Sequence, residues 1–125
     1  MNYNTEISDT LNDLKVSLET LENNIDDFTS TIYSALDIYS NVEIEIINDI
    51  YSNLSLTIHD LITDIDNSDT FYINESQYVY LNTKINNFIE YINELDISDL
   101  NQNLYDKIEI EFNNFITILQ TNNII

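Results

Sequence analysis

The chain has 125 residues, of which 43% are hydrophobic, and it contains no glycine, proline, cysteine or tryptophan. Its 23 acidic residues are accompanied by three basic residues, Lys15, Lys84 and Lys107, so the formal net charge is −20. The lack of cysteine excludes disulfides and thiolate chemistry, and the lack of glycine and proline disfavours hairpins and tight turns. We therefore expect one domain, residues 1–125, built from helices with short polar connections.

The net charge also limits the ligands that this chain can bind directly. Phosphates of a nucleic acid and the headgroups of an anionic membrane would both be repelled. No apolar run approaches the roughly 20 residues of a membrane-spanning helix, and the N-terminus shows no basic segment followed by an apolar one. The sequence therefore predicts a cytoplasmic protein whose binding partner is basic.

The first predicted helix follows a heptad pattern. Between Ile7 and Ile46 the apolar positions recur in alternating steps of four and three residues, which places them on one stripe of a helix. They are Ile7, Leu11, Leu14, Leu18, Leu21, Ile25, Phe28, Ile32, Ala35, Tyr39, Val42 and Ile46. We expect a cap at Asn4 or Thr5 and an end near Tyr39.

Two points could interrupt this helix. Helix propensity is poor at 23–24 and again at 29–31, and Ser40-Asn41 is the next candidate joint. If the helix is unbroken, part of its apolar stripe would lack a partner in the same chain. That overhang would favour a homodimer or contact with a partner helix.

Three further amphipathic helices follow in the sequence. The second carries Ile47, Ile50, Leu54, Ile58, Leu61 and Ile65; the third Tyr78, Leu81, Ile85, Phe88, Ile92 and Leu95; the fourth Leu100, Leu104, Ile108, Phe112, Phe115, Ile116 and Leu119. Residues 66–74 form a predicted loop, closed by a capping box between Asn74 and Gln77. Ser98 is the predicted N-cap of the last helix, and 121–125 is expected to fray. The pattern predicts an all-α antiparallel bundle of about four helices with a long N-terminal heptad helix.

Catalysis has little support in this composition. His59 is the only histidine. Nothing near it suggests the nucleophile that a triad needs, and one histidine cannot supply the paired histidines of a di-iron bundle. Without glycine there is no phosphate-cradling loop, and without arginine there is no bidentate clamp. We therefore expect a protein that is not an enzyme and that needs no cofactor.

One segment matches the ligand positions of a calcium loop and defines an alternative. Asp64, Asp66, Ser68, Thr70 and Glu75 stand at offsets 1, 3, 5, 7 and 12 of an EF-hand, between two predicted helices. Asp69 occupies the offset at which that loop requires glycine, and the sequence offers no second loop to pair with it. A single EF-hand-like module that binds Ca²⁺ is the third of three functional hypotheses.

Short rows of carboxylates recur along the helices at spacings of three and four residues. The rows are Glu6/Asp9/Asp13, Glu19/Glu22/Asp26, Glu45/Asp49, Asp60/Asp64 and Glu90/Glu94. Residues so spaced lie ~5–6 Å apart on one helix face, which is comparable to phosphate spacing in a nucleic acid. A protein that binds DNA or RNA through a basic groove could therefore dock onto such rows.

In size, charge and helicity the chain resembles the small, acidic inhibitors that phages encode against restriction and CRISPR enzymes. The resemblance implies an anti-restriction or anti-CRISPR protein that acts in the host cytoplasm as a nucleic-acid mimic. Our first hypothesis is thus a non-enzymatic inhibitor that covers the basic nucleic-acid-binding surface of a host defence nuclease. The second is a structural or assembly protein that oligomerises through its long heptad helix, as a coiled coil does.

Overall fold

The computed structural model describes residues 2–34, 41–68 and 72–125. It contains the helices α1 (Tyr3–Ser34), α2 (Asn41–Asp66), α3 (Glu75–Asn93) and α4 (Gln102–Thr121), with a short 3₁₀ turn at Ile97–Asp99. No strand occurs in these ranges. The predicted all-α bundle with a long first helix is confirmed.

The first helix begins earlier than predicted and is not interrupted within its described length. Its cap is Asn2, whose side-chain oxygen accepts a hydrogen bond from the Thr5 N–H at 3.3 Å. Asn4, one of the two predicted caps, instead accepts a bond from the Ile73 N–H at 3.1 Å, which ties the α2–α3 loop to α1. Thr31 donates its hydroxyl hydrogen to the Asp27 carbonyl, so a residue of low propensity is accommodated on the exposed surface. The predicted end at Tyr39 and the joint at Ser40 lie outside the described residues.

Helices α1 and α2 run antiparallel. Lys15, in the first half of α1, contacts Asp66 at the end of α2. Phe28, near the end of α1, lies with its ring centroid 5.4 Å from that of Tyr51 in the first half of α2. These two contacts set the register of the pair.

Helices α1 and α3 lie side by side and run parallel. The Tyr3 and Tyr78 rings are 5.1 Å apart at the two N-terminal ends, and further along the Thr10 hydroxyl donates to Asn82 Oδ1 at 3.0 Å. Helix α4 contacts both α2 and α3. Helix α3 thus runs antiparallel to α2, and the α2–α3 connection crosses the bundle and places α3 against α1.

The apolar stripes of the four helices form one core. The stripe of α1 is buried from Ile7 to Ile25 by α2, α3 and the 3₁₀ turn, and Phe28 is half buried against the same core. From Ile7 to Phe28 this stripe is therefore covered within the chain, whereas Ile46, its last predicted member, lies in α2 and is 52% exposed. The side chains of Ile32, Ala35, Tyr39 and Val42, which continue the predicted stripe, lie outside the description.

An aromatic cluster fills the space between α3 and α4. The Phe88 ring stacks on Phe115, with centroids 4.1 Å apart and an interplanar angle of 7°, and meets Phe112 edge-on at 5.0 Å. Such pairs are worth about 0.5–1.5 kcal/mol beyond the area that they bury. The cluster joins the second half of the chain as one unit.

The predicted N-cap of the last helix, Ser98, is wrong. The N-cap of α4 lies three residues later, where the Asn101 side chain accepts a hydrogen bond from the Leu104 N–H at 2.9 Å. Ile97 and Leu100 are buried, so the connection must fold back onto the core before the helix can start. The Tyr51 hydroxyl reaches across from α2 and donates a hydrogen bond to the Ile97 carbonyl oxygen.

The predicted fraying of the C-terminal end is also wrong. Asn123 adopts the left-handed conformation with φ of 58°, and the Ile124 N–H bonds to the Leu119 carbonyl at 2.9 Å. This arrangement, with the bond from the Asn123 N–H to the Gln120 carbonyl, is a Schellman motif in which asparagine takes the place of glycine. Ile124 is buried, which holds the end of the chain against the core.

Candidate protein-binding surface

The twelve carboxylates predicted to bind a partner lie at the surface. All are exposed except Glu22, which is half buried; the exposed ones are Glu6, Asp9, Asp13, Glu19, Asp26, Glu45, Asp49, Asp60, Asp64, Glu90 and Glu94. Among the described residues the only ion pair joins Lys15 to Asp66. The rows therefore face solvent, and none of their carboxylates forms an ion pair within the described residues.

The two rows on α1 do not form one surface. At about 100° of rotation per residue, Glu19/Glu22/Asp26 lie roughly 140° around the helix axis from Glu6/Asp9/Asp13. Glu22 and Asp26 border α2, together with residues of that helix. The acidic charge is thus divided between different sides of the bundle, and the structure shows that the second of these rows is the one that borders α2.

A groove runs between α1 and α2, and we refer to it as the α1/α2 groove. Its volume is about 410 Å³. The residues that line it are Glu22, Ile25, Asp26 and Thr29 from α1, and Tyr51, Ser52, Ser55, Leu56 and His59 from α2. Leu56 is 60% exposed although it is apolar, whereas Ile25 and Tyr51 are buried at the base. The groove therefore combines apolar surface with two carboxylates, an imidazole and four hydroxyl-bearing side chains.

One carboxylate oxygen in this groove has no partner. Glu22 Oε2 is shielded from solvent and makes no hydrogen bond. A shielded acceptor that lacks a donor raises the free energy of the folded state, most strongly when it belongs to an ionised group. If the Glu22 side chain turned outward to meet a donor from a bound partner, that penalty would be removed.

Two carboxylates of α2 lie on the same side of that helix as Leu56. Asp49 precedes Leu56 by seven residues and Asp60 follows it by four, so the three side chains share one strip of the helix surface. Both carboxylates are exposed. An apolar side chain is thus flanked by negative charge on the α2 side, opposite Glu22 and Asp26 on the α1 side.

The acidic row on α3 belongs to a different surface. Glu90 and Glu94 are exposed on a helix that contacts α1 and α4, and within the described residues it makes no contact with α2. These two carboxylates lie apart from the α1/α2 groove. They provide a natural comparison for any effect of charge alone.

A second concave region, between α3 and α4, was not singled out by the sequence. Lys84, Tyr91 and Glu111 line it above the stacked Phe88 and Phe115 rings. Burial, and secondarily the Glu111 carboxylate, raise the pKa of the Tyr91 hydroxyl. Lys84 Nζ lies 5.7 Å from the Tyr80 ring centroid, so this face carries mixed rather than purely negative charge.

The proposed calcium ligands are distributed over helix and loop. Asp64 and Asp66 belong to the last turn of α2, and Asp66 binds Lys15, while Glu75 is the first residue of α3. The Ser68 hydroxyl donates to the Ile65 carbonyl at 2.7 Å. Thr70 lies outside the described residues, as do Asp69 and Phe71. In the part of the chain that is described, no group of three or more His, Cys, Asp or Glu side chains is placed to hold a metal ion.

No helix in the described ranges combines the length and apolar character needed to cross a membrane.

Neither a protein-family model, nor a curated protein, nor a solved structure matches this chain.

Proposed function

We propose that this protein is a non-enzymatic inhibitor that covers the basic, nucleic-acid-binding surface of another protein. The observation that carries the proposal is the set of exposed carboxylates on a helical frame, with a single ion pair among the described residues. A net charge of −20 opposes folding through self-repulsion. A basic partner would relieve that repulsion and gain favourable electrostatic energy on binding.

The helical bundle is suited to nucleic-acid mimicry because the carboxylates are attached to helices rather than to loops. Residues three or four apart on a helix keep a separation of ~5–6 Å, so their charges are held in place before the partner arrives. Preorganised charge lowers the entropy lost on binding. The buried stripes of all four helices supply the rigidity that this requires.

A host defence nuclease is the first class of target to test, in keeping with the resemblance to anti-restriction and anti-CRISPR inhibitors. Such enzymes track the nucleic-acid backbone with lysine and arginine side chains. An inhibitor that occupies this surface would compete with the substrate directly. Its affinity would fall as salt rises, since the contacts are between charges near the surface.

Assembly through the α1 heptad stripe receives less support. From Ile7 to Ile25 this stripe packs within its own bundle and is not free to pair with a second helix.

The test is a cleavage assay with a panel of restriction and CRISPR nucleases, into which the purified protein is titrated. We expect inhibition that is relieved by excess non-cleavable DNA or RNA and by added salt. Inhibition that persists unchanged in both conditions would show that the protein acts elsewhere than at the nucleic-acid site. Absence of inhibition across the panel would contradict the choice of defence nucleases as targets.

A further inference from the structure

We propose that the α1/α2 groove is the site that docks a cationic amphipathic helix of the partner protein. The inference rests on the proposed function and deepens it, because it names which acidic surface makes the contact and what occupies it. Three features support this choice: the apolar surface in the groove, the position of the charges around it, and its length.

The first feature is apolar surface beside the carboxylates. Leu56 is 60% exposed and lines the groove together with the buried Ile25 and Tyr51. A purely electrostatic surface would gain nothing from a leucine at this position. An apolar side chain of a docked helix would remove Leu56 from water and continue the core outward.

The second feature is the arrangement of charge around that apolar surface. Glu22 and Asp26 stand on the α1 side, and Asp49 and Asp60 flank Leu56 along α2. The shielded Glu22 Oε2 has no donor in the free protein. Lysine or arginine side chains on either side of an apolar stripe would supply donors to both walls, which is the charge pattern of a cationic amphipathic helix.

The third feature is the length and the chemistry of the walls. The lining runs from Glu22 to Thr29 on α1 and from Tyr51 to His59 on α2, which at ~1.5 Å per residue is about two helical turns. Both walls are helices whose backbone groups are already hydrogen-bonded internally. An extended peptide would find no backbone partners there, whereas a helix satisfies its own.

Electrostatic repulsion also disfavours two other possible occupants of the α1/α2 groove. A second copy of this chain would bring a further net charge of −20 to the interface, and a nucleic acid would bring phosphates; both would be repelled. Many DNA-binding proteins read the duplex with a helix placed in the major groove. Occupation of the α1/α2 groove by such a helix would withdraw it from its substrate.

The experiment measures binding of a fluorescently labelled Leu/Lys peptide of about 18 residues, designed as an amphipathic helix, to the full chain by fluorescence anisotropy. A second peptide carries the same lysines but glutamine in place of leucine. Two double variants remove equal charge: Glu22→Gln with Asp26→Asn in the groove, and Glu90→Gln with Glu94→Gln on α3. Leu56→Gln tests the apolar contact, with Ile110→Gln on α4, 57% exposed, as its control. Circular dichroism confirms that each variant is folded.

We expect the amphipathic peptide to bind more tightly than the glutamine peptide, by about tenfold. The groove double variant and Leu56→Gln should each weaken binding by about tenfold, while both control variants change it by less than about twofold. Equal weakening by the two double variants would overturn the groove as the site but leave charge-driven binding, and hence the proposed function, in place. No binding of either peptide at low salt would overturn the groove proposal and would also count against an acidic surface that captures basic partners.

Discussion

The ammonium nitrogen of Lys15 lies 2.8 Å from Asp66 Oδ1 and joins the first half of α1 to the last turn of α2. The hydrogen bond to Asp66, more than the accompanying Coulombic attraction, raises the pKa of Lys15. It is the single ion pair of the described residues, and both side chains remain partly exposed. The other carboxylates of the described surface therefore act on one another chiefly by repulsion.

This repulsion makes the stability of the protein sensitive to salt. Raising the ionic strength from about 0.01 M to about 1 M shortens the Debye length from about 30 Å to about 3 Å, so surface carboxylates cease to interact. We expect the melting temperature, followed by circular dichroism, to rise by several degrees over this range. Sodium chloride is the appropriate salt, and the neutral osmolyte sucrose provides a comparison that does not screen charge. A melting temperature that stays constant or falls with sodium chloride would contradict the account.

Reversal of charge in one row at a time should identify the rows that contact the partner. Asp60→Lys with Asp64→Lys changes two exposed positions on α2 and should abolish inhibition of a sensitive nuclease without unfolding the protein. Cleavage assays and melting curves on the same samples separate the two effects. If reversals of every row, including Glu90/Glu94, left inhibition intact, the acidic surface would have no role in binding.

The buried hydroxyl of Tyr51 should contribute to stability through its bond to the Ile97 carbonyl. Tyr51→Phe removes this bond, while Ile97 still accepts one from the Leu100 N–H at 3.1 Å. We expect a loss of about 1 kcal/mol in the free energy of unfolding, measured by urea denaturation. Tyr80→Phe, at a tyrosine that is 45% exposed, should change it by less than about 0.5 kcal/mol. Equal losses for Tyr51→Phe and Tyr80→Phe would show that the hydrogen bond from Tyr51 to the Ile97 carbonyl does not stabilise the connection between α3 and α4.

Tyr91, beside the aromatic cluster, should make the free energy of unfolding depend on pH in the alkaline range. Burial and Glu111 raise the pKa of Tyr91 above the ordinary value of 10.0, so the folded state favours the neutral phenol. The contribution of Tyr91 to the free energy of unfolding is fully present below the pKa that its hydroxyl has in the unfolded chain. It is lost as the pH rises through the pKa in the folded state. The free energy of unfolding should therefore fall above about pH 10, and Tyr91→Phe should make that fall less steep. Identical slopes for the two proteins would contradict the assignment.

Much of the fold followed from periodicity. The four-and-three spacing from Ile7 to Ile25 predicted the buried face of α1, because a helix of about 3.6 residues per turn brings those positions to one side. The capping box of Asn74 and Gln77 was predicted for the same local reason and is present, with the Gln77 N–H 2.9 Å from Asn74 Oδ1. Both features depend only on neighbours within a few residues.

What periodicity could not predict depends on contacts between distant segments. Ser98 has the chemistry of a cap, yet burial of Ile97 and Leu100 delays α4 until Asn101. Asn123 replaces a glycine in the Schellman motif because Ile124 has a place in the core.

In the candidate site, too, some features follow from local spacing and others depend on how the helices pack. The exposure of the acidic rows was predictable from their positions off the apolar stripes. Their grouping was not, because it depends on which side of α1 is covered by α2. The α1/α2 groove, with Leu56 in its lining and the unpaired oxygen of Glu22, exists only once the two helices pack together.

The most direct test of an acidic surface that captures nucleic-acid-binding proteins is a pull-down from candidate host lysate on the tagged protein. The bound material is eluted in steps of rising salt and identified by mass spectrometry. The account predicts a basic nuclease or other nucleic-acid-binding protein that is released at moderate salt and is displaced by added DNA or RNA. Recovery of the protein alone, as an oligomer that salt does not dissociate, would contradict it and would favour an assembly role instead.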